Sequence, residues 1–352
     1  MAAVDVLEDR HKMELQIARN LWRQCFHDPE AYEEFYFDNV YPNNRVYLEE
    51  DKGMLHLNPY LCHVGMQERI LHYIVGVATD ERYRRCGIMR NLLQRALLDM
   101  REEQEPFTYL MPADVRYYEP FGFVSAKEEE RCEIGIAQLS AAQSMPYSFW
   151  AFETLIRNLD GRRLAQIFGT LDHAIQQCYR VAPVHDESYF RMLYKEKACQ
   201  QGNIVFVLNE EQNVMGYFAY AMDDEYPRIE QSFWMEEDQT EWAASMYFGK
   251  TAGWWKSFPY MIRVVDVTAF LQLFPKQCQR LSDGYEGLRI EDAILPENTG
   301  CYRADNGWEK ITELSSETMQ ERYRTISVGQ MAEELFGKNG QLRDKIWFAE
   351  IV

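Results

Sequence analysis

Between Val75 and Met89 the sequence sets a strand-like run, Val75-Gly76-Val77-Ala78-Thr79, before a basic turn containing Arg82, Arg84 and Arg85. Gly87 follows, and then a helix start at Ile88. Backbone amides in the first turn of a helix have no intrahelical acceptor and lie at the positive end of its dipole, so they suit a diphosphate. Arg84 and Arg85 add cationic donors, and Gly87 removes the side chain that would hold a phosphate off the backbone. A strand that splays from its neighbour beyond a bulge would leave amides near Val77 and Thr79 free to pair with an extended ligand arm, as though with another strand. A backbone N–H at the split would then hold a developing oxyanion. This chemistry is acyl transfer from a coenzyme A thioester, with Val77, Ala78, Thr79, Arg84, Arg85, Cys86, Gly87, Ile88 and Met89 as candidate cofactor-binding residues. The plainer alternative is a surface turn with two solvated arginines.

The string Arg84-Arg85-Cys86-Gly87-Ile88-Met89 resembles the Arg/Gln-x-x-Gly-x-Gly/Ala pattern of the GNAT acetyltransferases, with Met89 in place of the final small residue. That departure, the Val-x-Val-x-Thr strand and the doubled Arg are similar to the enhanced-intracellular-survival (Eis) branch of the family. Downstream, Tyr118-Glu119-Pro120-Phe121-Gly122-Phe123 fits the family's Tyr-x-x-x-Gly-Phe, and Tyr118 is the position that resembles its general acid. A phenol of pKa about 10 can protonate a departing thiolate. Tyr117 is the rival: on a helix the two point about a quarter-turn apart, so only one faces the sulfur. Cys86 is a conceivable nucleophile, but it sits inside the phosphate turn without a local His partner.

The resemblance extends, on shorter motifs, over the whole chain. It implies an α/β (α+β) architecture of tandem GNAT-like domains followed by a sterol-carrier-protein-like domain: a catalytic unit at 1–135, a degenerate second unit at 136–258 and a third at 259–352. Met261-Ile262-Arg263-Val264-Val265-Asp266-Val267 resembles the opening strand of the third unit. The resemblance also implies that the terminal carboxylate, on Val352, helps to deprotonate the acceptor; an ordinary docked tail is the alternative. Its further implications are acetyl-CoA as cosubstrate, a cationic acceptor such as an aminoglycoside, polyamine or lysine amine, and a homo-oligomer, trimer or hexamer. A non-catalytic acetyl-CoA sensor or a lipid-binding module is the competing reading.

Several elements must position these residues. Apolar periodicity predicts helices over Lys12–Phe26, around Glu30–Phe37 and from Ile88 to about Glu103, and strands at Arg45–Glu49, Met54–Leu57, Arg69–Thr79 and Phe107–Met111. Asp114 can cap a short helix carrying Tyr117 and Tyr118. A helical middle, about Tyr147–Glu196, precedes a hairpin at Asn203–Leu208 and Val214–Tyr220 and a helix at Trp242–Trp255. Trp22, Phe26, Tyr32, Phe35 and Tyr36 read as core at helical spacing, with an acceptor cleft as the alternative.

Composition narrows the function classes. The 352 residues carry a formal net charge of −19, which repels phosphate backbones and disfavours nucleic acid, while a cationic substrate would be attracted. No secretory signal and no membrane-spanning run is readable, and eight scattered Cys without a CxxC pair fit reduced thiols in a cytoplasmic protein without a metal.

Overall fold

Leu15, Ala18, Leu21 and Trp22 give one apolar face to α1 (Ala2–Cys25) in the computed structural model, which describes residues 2–134, 147–223, 226–249, 253–304, 307–311 and 322–350. α2 (Glu30–Phe35) runs on into a π-helical turn, Tyr36–Val40. The chain then builds β1 (Arg45–Glu49), β2 (Gly53–Val64) and β3 (Gln67–Thr79) as an antiparallel meander. Next come α3 (Ile88–Glu102), β4 (Phe107–Leu110), β5 (Val124–Lys127) and β6 (Glu130–Ile134). The predicted strands at 54–57 and 69–79 are parts of one longer hairpin that turns at Gly65-Met66.

The middle of the chain holds β7 (Ser148–Ala151), α4 (Phe152–Asn158), α5 (Gly161–Cys178), β8 (Val181–Pro183) and α6 (Glu187–Cys199). It continues through β9 (Asn203–Leu208), β10 (Val214–Asp223), β11 (Tyr226–Trp234), α7 (Thr240–Phe248), β12 (Gly253–Ser257) and β13 (Tyr260–Val264). The helix predicted over 242–255 stops at Phe248, and Trp254 and Trp255 lie on β12 instead. β11 escaped the sequence reading because buried Glu230 and Gln231 interrupt its apolar pattern. The last part comprises α8 (Val267–Leu273), α9 (Pro275–Leu281), β14 (Gly287–Glu291), β15 (Gly300–Ala304), β16 (Trp308–Ile311), β17 (Tyr323–Ser327) and α10 (Val328–Phe336).

Three sheets result, in the mixed α/β class that the sequence implied. The first runs β1-β2-β3-β4-β13-β5, with β8 pairing to β2; the second runs β6-β12-β11-β10-β9-β7; the third runs β16-β15-β14-β17. The first two exchange strands. β6 leaves the first part of the chain to pair with β12, and β13 leaves the middle part to lie between β4 and β5. The segment read as opening a third unit at 259 therefore sits inside the first sheet. Each sheet is completed by the other's chain, so the two halves are fixed relative to each other by ladder hydrogen bonds and not by a linker alone.

The third sheet and its helices share a core with one face of the first. Phe270, Phe274, Met331, Leu335 and Phe336 bury themselves against Phe107, Ile262 and Val264. The segment 345–350 docks in the seam between first and second sheets. The Trp347 amide donates to the Val181 carbonyl at 2.9 Å, and its indole stacks on His185 with ring centroids 4.9 Å apart. Phe348 stacks on Tyr109 at 3.7 Å, and the Tyr189 hydroxyl donates to Glu350 Oε1 at 2.7 Å.

Candidate active site

β3 and β4 run parallel but pair only at Tyr73–Tyr109 and Ile74–Leu110. Beyond Ile74, β3 continues for five residues to Thr79 while β4 has ended. The cause of the divergence lies at Gly76, which adopts φ +63°. Between the His56–Val75 and Met54–Ala78 pairs β3 has one more residue than β2, a bulge that bends the strand. A Cβ on residue 76 would stand 2.9 Å from His56 Nδ1 and 3.2 Å from Trp22 Cζ3, so both the left-handed backbone and the space require glycine. His56 is itself pinned, wholly buried, by a 2.6 Å hydrogen bond with the Tyr36 hydroxyl.

The direction of the free amides follows from the ladder. The Asp80 amide donates to Lys52 O, toward β2, so by alternation the Thr79 and Val77 amides point to the open side. The Cys25 thiol, from the end of α1, approaches the Thr79 carbonyl on that side at 3.8 Å. A strand-like ligand arm could pair there.

The basic turn follows. Asp80 accepts from the Arg82 amide and guanidinium, and those bonds hold its carboxyl down at about 2. Arg82 is thus spoken for, whereas Arg84 and Arg85 have no acidic partner within ion-pair distance among the described residues. Arg85 (φ +65°) and Gly87 (φ +83°) are both left-handed, which swings the chain across the start of α3. No side chain caps this helix. Its first closed bond is Asn91 N–H to Gly87 O at 3.0 Å, so the amides of Ile88, Met89 and Arg90 have no intrahelical acceptor. A Cβ at residue 87 would meet nothing within 4 Å. The cradle fits a diphosphate.

Where β3 and β4 part, a cavity of about 560 Å³ opens, lined by Tyr73 to Val77, Met111, Ala113 and Tyr118. Asp114 caps its short turn as expected, accepting from the Arg116 amide. Tyr118 is only 5% exposed and lines the cavity, whereas Tyr117 is 57% exposed and does not. Burial raises the Tyr118 phenol to about 12, so it holds its proton at neutral pH. The opposite wall comes from Trp22, Phe26 and Tyr32, with Asp28 at the rim. Trp22 also packs in the core with Phe35 and Tyr36, so the two readings of these aromatics divide by residue.

Sequence reasoning missed Asp28 and the entire third wall. Cys199 at the end of α6, Gln200 and Gln201 from the turn after it, Met222 on β10, Arg228 on β11 and Phe258 all reach the cavity. No local motif marks them, because the strand exchange is what brings them there. Arg228 is occupied: it pairs with Glu230 at 2.7 Å, and Glu230 also holds buried Lys197, which pairs in turn with Glu196. Asp28 accepts only from Trp22 Nε1, at 3.0 Å, and has no cationic partner within ion-pair distance among the described residues. Burial raises its carboxyl above the ordinary range. Glu350, the last described residue, is raised by burial to about 7. Val352 lies outside the described residues. Among those described, no group of three or more His, Cys, Asp or Glu side chains is placed to hold a metal, and no helix is long and apolar enough to cross a membrane.

The second sheet repeats the divergence without the cradle. β11 and β12 pair in parallel only at Arg228–Trp254 and Ile229–Trp255. Yet the turn before α7 carries Glu236, Glu237 and Asp238, and Asp238 accepts from the Thr240 amide. A built-in carboxylate occupies the place a phosphate would need.

Residues 9–126 match the family model of an acetyltransferase (GNAT) domain. No curated protein matches. Among solved structures, a probable N-acyltransferase from Enterococcus faecalis V583 aligns with TM-score 0.69 at 14% identity, covering 92% of this chain and 87% of that one. A GCN5-related N-acetyltransferase from Anabaena variabilis aligns with TM-score 0.67 at 17% identity, over 92% and 88%. Eis1 from Mycobacterium abscessus aligns with TM-score 0.60 at 12% identity, over 94% and 87%. Residues 9–126, which supply most of the first sheet, thus match an acetyltransferase (GNAT) domain, which supports an acyltransferase, and the chain as a whole shares the fold of those solved structures.

Replacing Gly76 by Ala tests the bulge. A side chain forced into a left-handed conformation against buried His56 should cost about 1–3 kcal/mol of stability, read as a lowered urea midpoint, and should weaken acetyl-CoA binding in the protein that remains folded. An unchanged midpoint together with unchanged binding would contradict it.

Proposed function

We propose, from the premise of an acetyltransferase domain over residues 9–126, that this protein transfers acetyl from acetyl-CoA to a primary amine of a cationic acceptor, by direct attack in a ternary complex. Acetyl-CoA supplies an activated thioester carbonyl. In this reading the amides of Ile88 to Arg90, with Arg84 and Arg85, hold the diphosphate, and β3 pairs with the pantetheine arm through Val77 and Thr79. The Val77 amide stands nearest the split, to share the developing oxyanion. The amine nitrogen forms its bond to the carbonyl carbon as the carbon–sulfur bond breaks; Tyr118 gives its proton to the sulfur, and the proton shed by the nitrogen restores the phenol.

One observation carries the reading: the open edge of β3 and a proton-bearing Tyr118 line the same cavity. A sensor needs the first and has no use for the second. The lipid-carrier alternative is disfavoured by the third sheet's helices, whose apolar faces are spent on the core shared with the first sheet.

The acceptor is drawn by charge. In a cavity walled by Trp22, Phe26 and Tyr32, Asp28 is a carboxylate without a counter-ion among the described residues, which suits a second ammonium group of a polyamine-like molecule.

Two variants test these roles in a thiol-release assay with acetyl-CoA and a panel of polyamines, aminoglycosides and lysine peptides. Tyr118→Phe should lower kcat by about 10²–10⁴-fold with acetyl-CoA affinity retained, and a change under twofold would remove Tyr118 from the chemistry. Asp28→Asn should raise KM for multiply charged acceptors by about 10–100-fold, the equivalent of one charge-assisted contact, while a monoamine is less affected. An equal effect on both would place the anchor elsewhere. Tight acetyl-CoA binding with no turnover on any amine would favour the sensor.

A further inference from the structure

The turn that carries Tyr118 is short and built from two 3-10 turns, Val115–Tyr117 and Glu119–Phe121. It closes on its own backbone: Tyr118 N–H to Val115 O at 3.0 Å, Phe121 N–H to Tyr118 O at 2.9 Å and Gly122 N–H to Glu119 O at 3.0 Å. Such a turn fixes its internal shape but not its place against the sheet. That place is set from outside.

Arg263 lies on β13, the strand that enters the first sheet from the middle of the chain, and its side chain is wholly buried. Its Nε donates to the Phe121 carbonyl at 2.6 Å, and its Nη1 to the carbonyl of Val264 at 2.5 Å. Nη2 meets both carboxylate oxygens of Asp292 at 2.8 and 2.9 Å. Asp292, in the loop after β14, also accepts from the amides of Ile294 and Leu295 and from Asn298 Nδ2. Asn298 then bonds the Val265 carbonyl and receives Arg101 from the end of α3. On the other side of the turn, Gly122 (φ +82°) abuts Val328, the first residue of α10; a Cβ there would come within 3.2 Å of its Cγ1. The turn is gripped between β13 and α10.

A buried Arg–Asp pair is a poor source of stability, because desolvating both charges offsets most of their attraction and an apolar pair of similar volume would often do as well. What an apolar pair could not provide is a fixed donor on the Phe121 carbonyl. We propose that Arg263, held by Asp292, is the positioning residue for Tyr118, so that the C-terminal sheet takes part in acyl transfer by setting where the phenol stands. The inference rests on the reading of Tyr118 as proton donor. It also gives the third sheet a role that needs no ligand of its own.

A double-mutant cycle tests it. Arg263→Gln should lower kcat about tenfold or more with KM for acetyl-CoA within twofold, since misplacing a reacting group by about 1 Å can cost on the order of 10²-fold. In the Tyr118→Phe background the same substitution should change kcat less than about twofold, because its effect runs through the missing hydroxyl. An equal loss in both backgrounds would mean that Arg263 serves only the fold, and would overturn the proposal while leaving Tyr118 in place. Should Tyr118→Phe alone have no effect, the reading of the donor falls, and this inference with it. If Arg263→Gln does not fold, Arg263→Lys, which keeps a cation beside Asp292 but lacks the planar fork that reaches the Phe121 carbonyl, runs through the same cycle with the same two outcomes.

Discussion

Two parallel strands that share only two residue pairs leave a row of backbone amides with nothing to bond. In an interior sheet position each such group, once shielded from water, costs about 1–3 kcal/mol if left unmatched, so a fold that keeps the row open must have something to put there. The gap between β3 and β4 is that row, and the rest of the protein is arranged around it. Left-handed Gly76 bends β3 away; α3, which follows β3 after the basic turn, leaves its first amides uncapped; β13 and β5 continue the sheet on the far side so that the opening remains a gap and not an edge. In the proposed reading, an extended ligand with an anionic end would satisfy both sets of donors at once.

The exchange of β6 and β13 extends this constraint to the second half of the chain. In the second sheet the turn before α7 holds Asp238, which accepts from the Thr240 amide, and this sheet is bound to the first through shared strands. α6, the turn after it, β10 and β11 wall the cavity, and the buried Lys197–Glu230–Arg228 network holds Arg228 beside Gln200 at the cavity surface. Residues 345–350, threaded along the same seam by Trp347 and Phe348, bring the Glu350 charge to bear on Tyr73, whose phenol is raised chiefly by burial.

How far the sequence could be read depends on how local each cause is. The strand, turn and helix at 75–89 are legible because a bulge, a basic turn and an uncapped helix start are set by adjacent residues. The choice between Tyr117 and Tyr118 was not, since it turns on which of two neighbours faces a cavity formed by other elements. β11 was missed because Glu230 and Gln231, polar in sequence, are buried in a network whose partners lie on other elements. The segment Met261–Val267 reads naturally as the start of something new; only the register with β4 and β5 places it within the first sheet. Asp28 carries no motif at all, and it matters through what surrounds it.

The central claim is that the diphosphate of coenzyme A lies against the amides that follow Arg84, with Gly87 giving it access. Calorimetric titration of coenzyme A into Gly87→Val and the parent protein measures this directly. The added Cβ meets no protein atom within 4 Å, and the backbone strain of a side chain at φ +83° is read separately from the urea midpoint, so the account predicts at least about tenfold weaker binding in the fraction that remains folded. Equal affinity for the two proteins would contradict it.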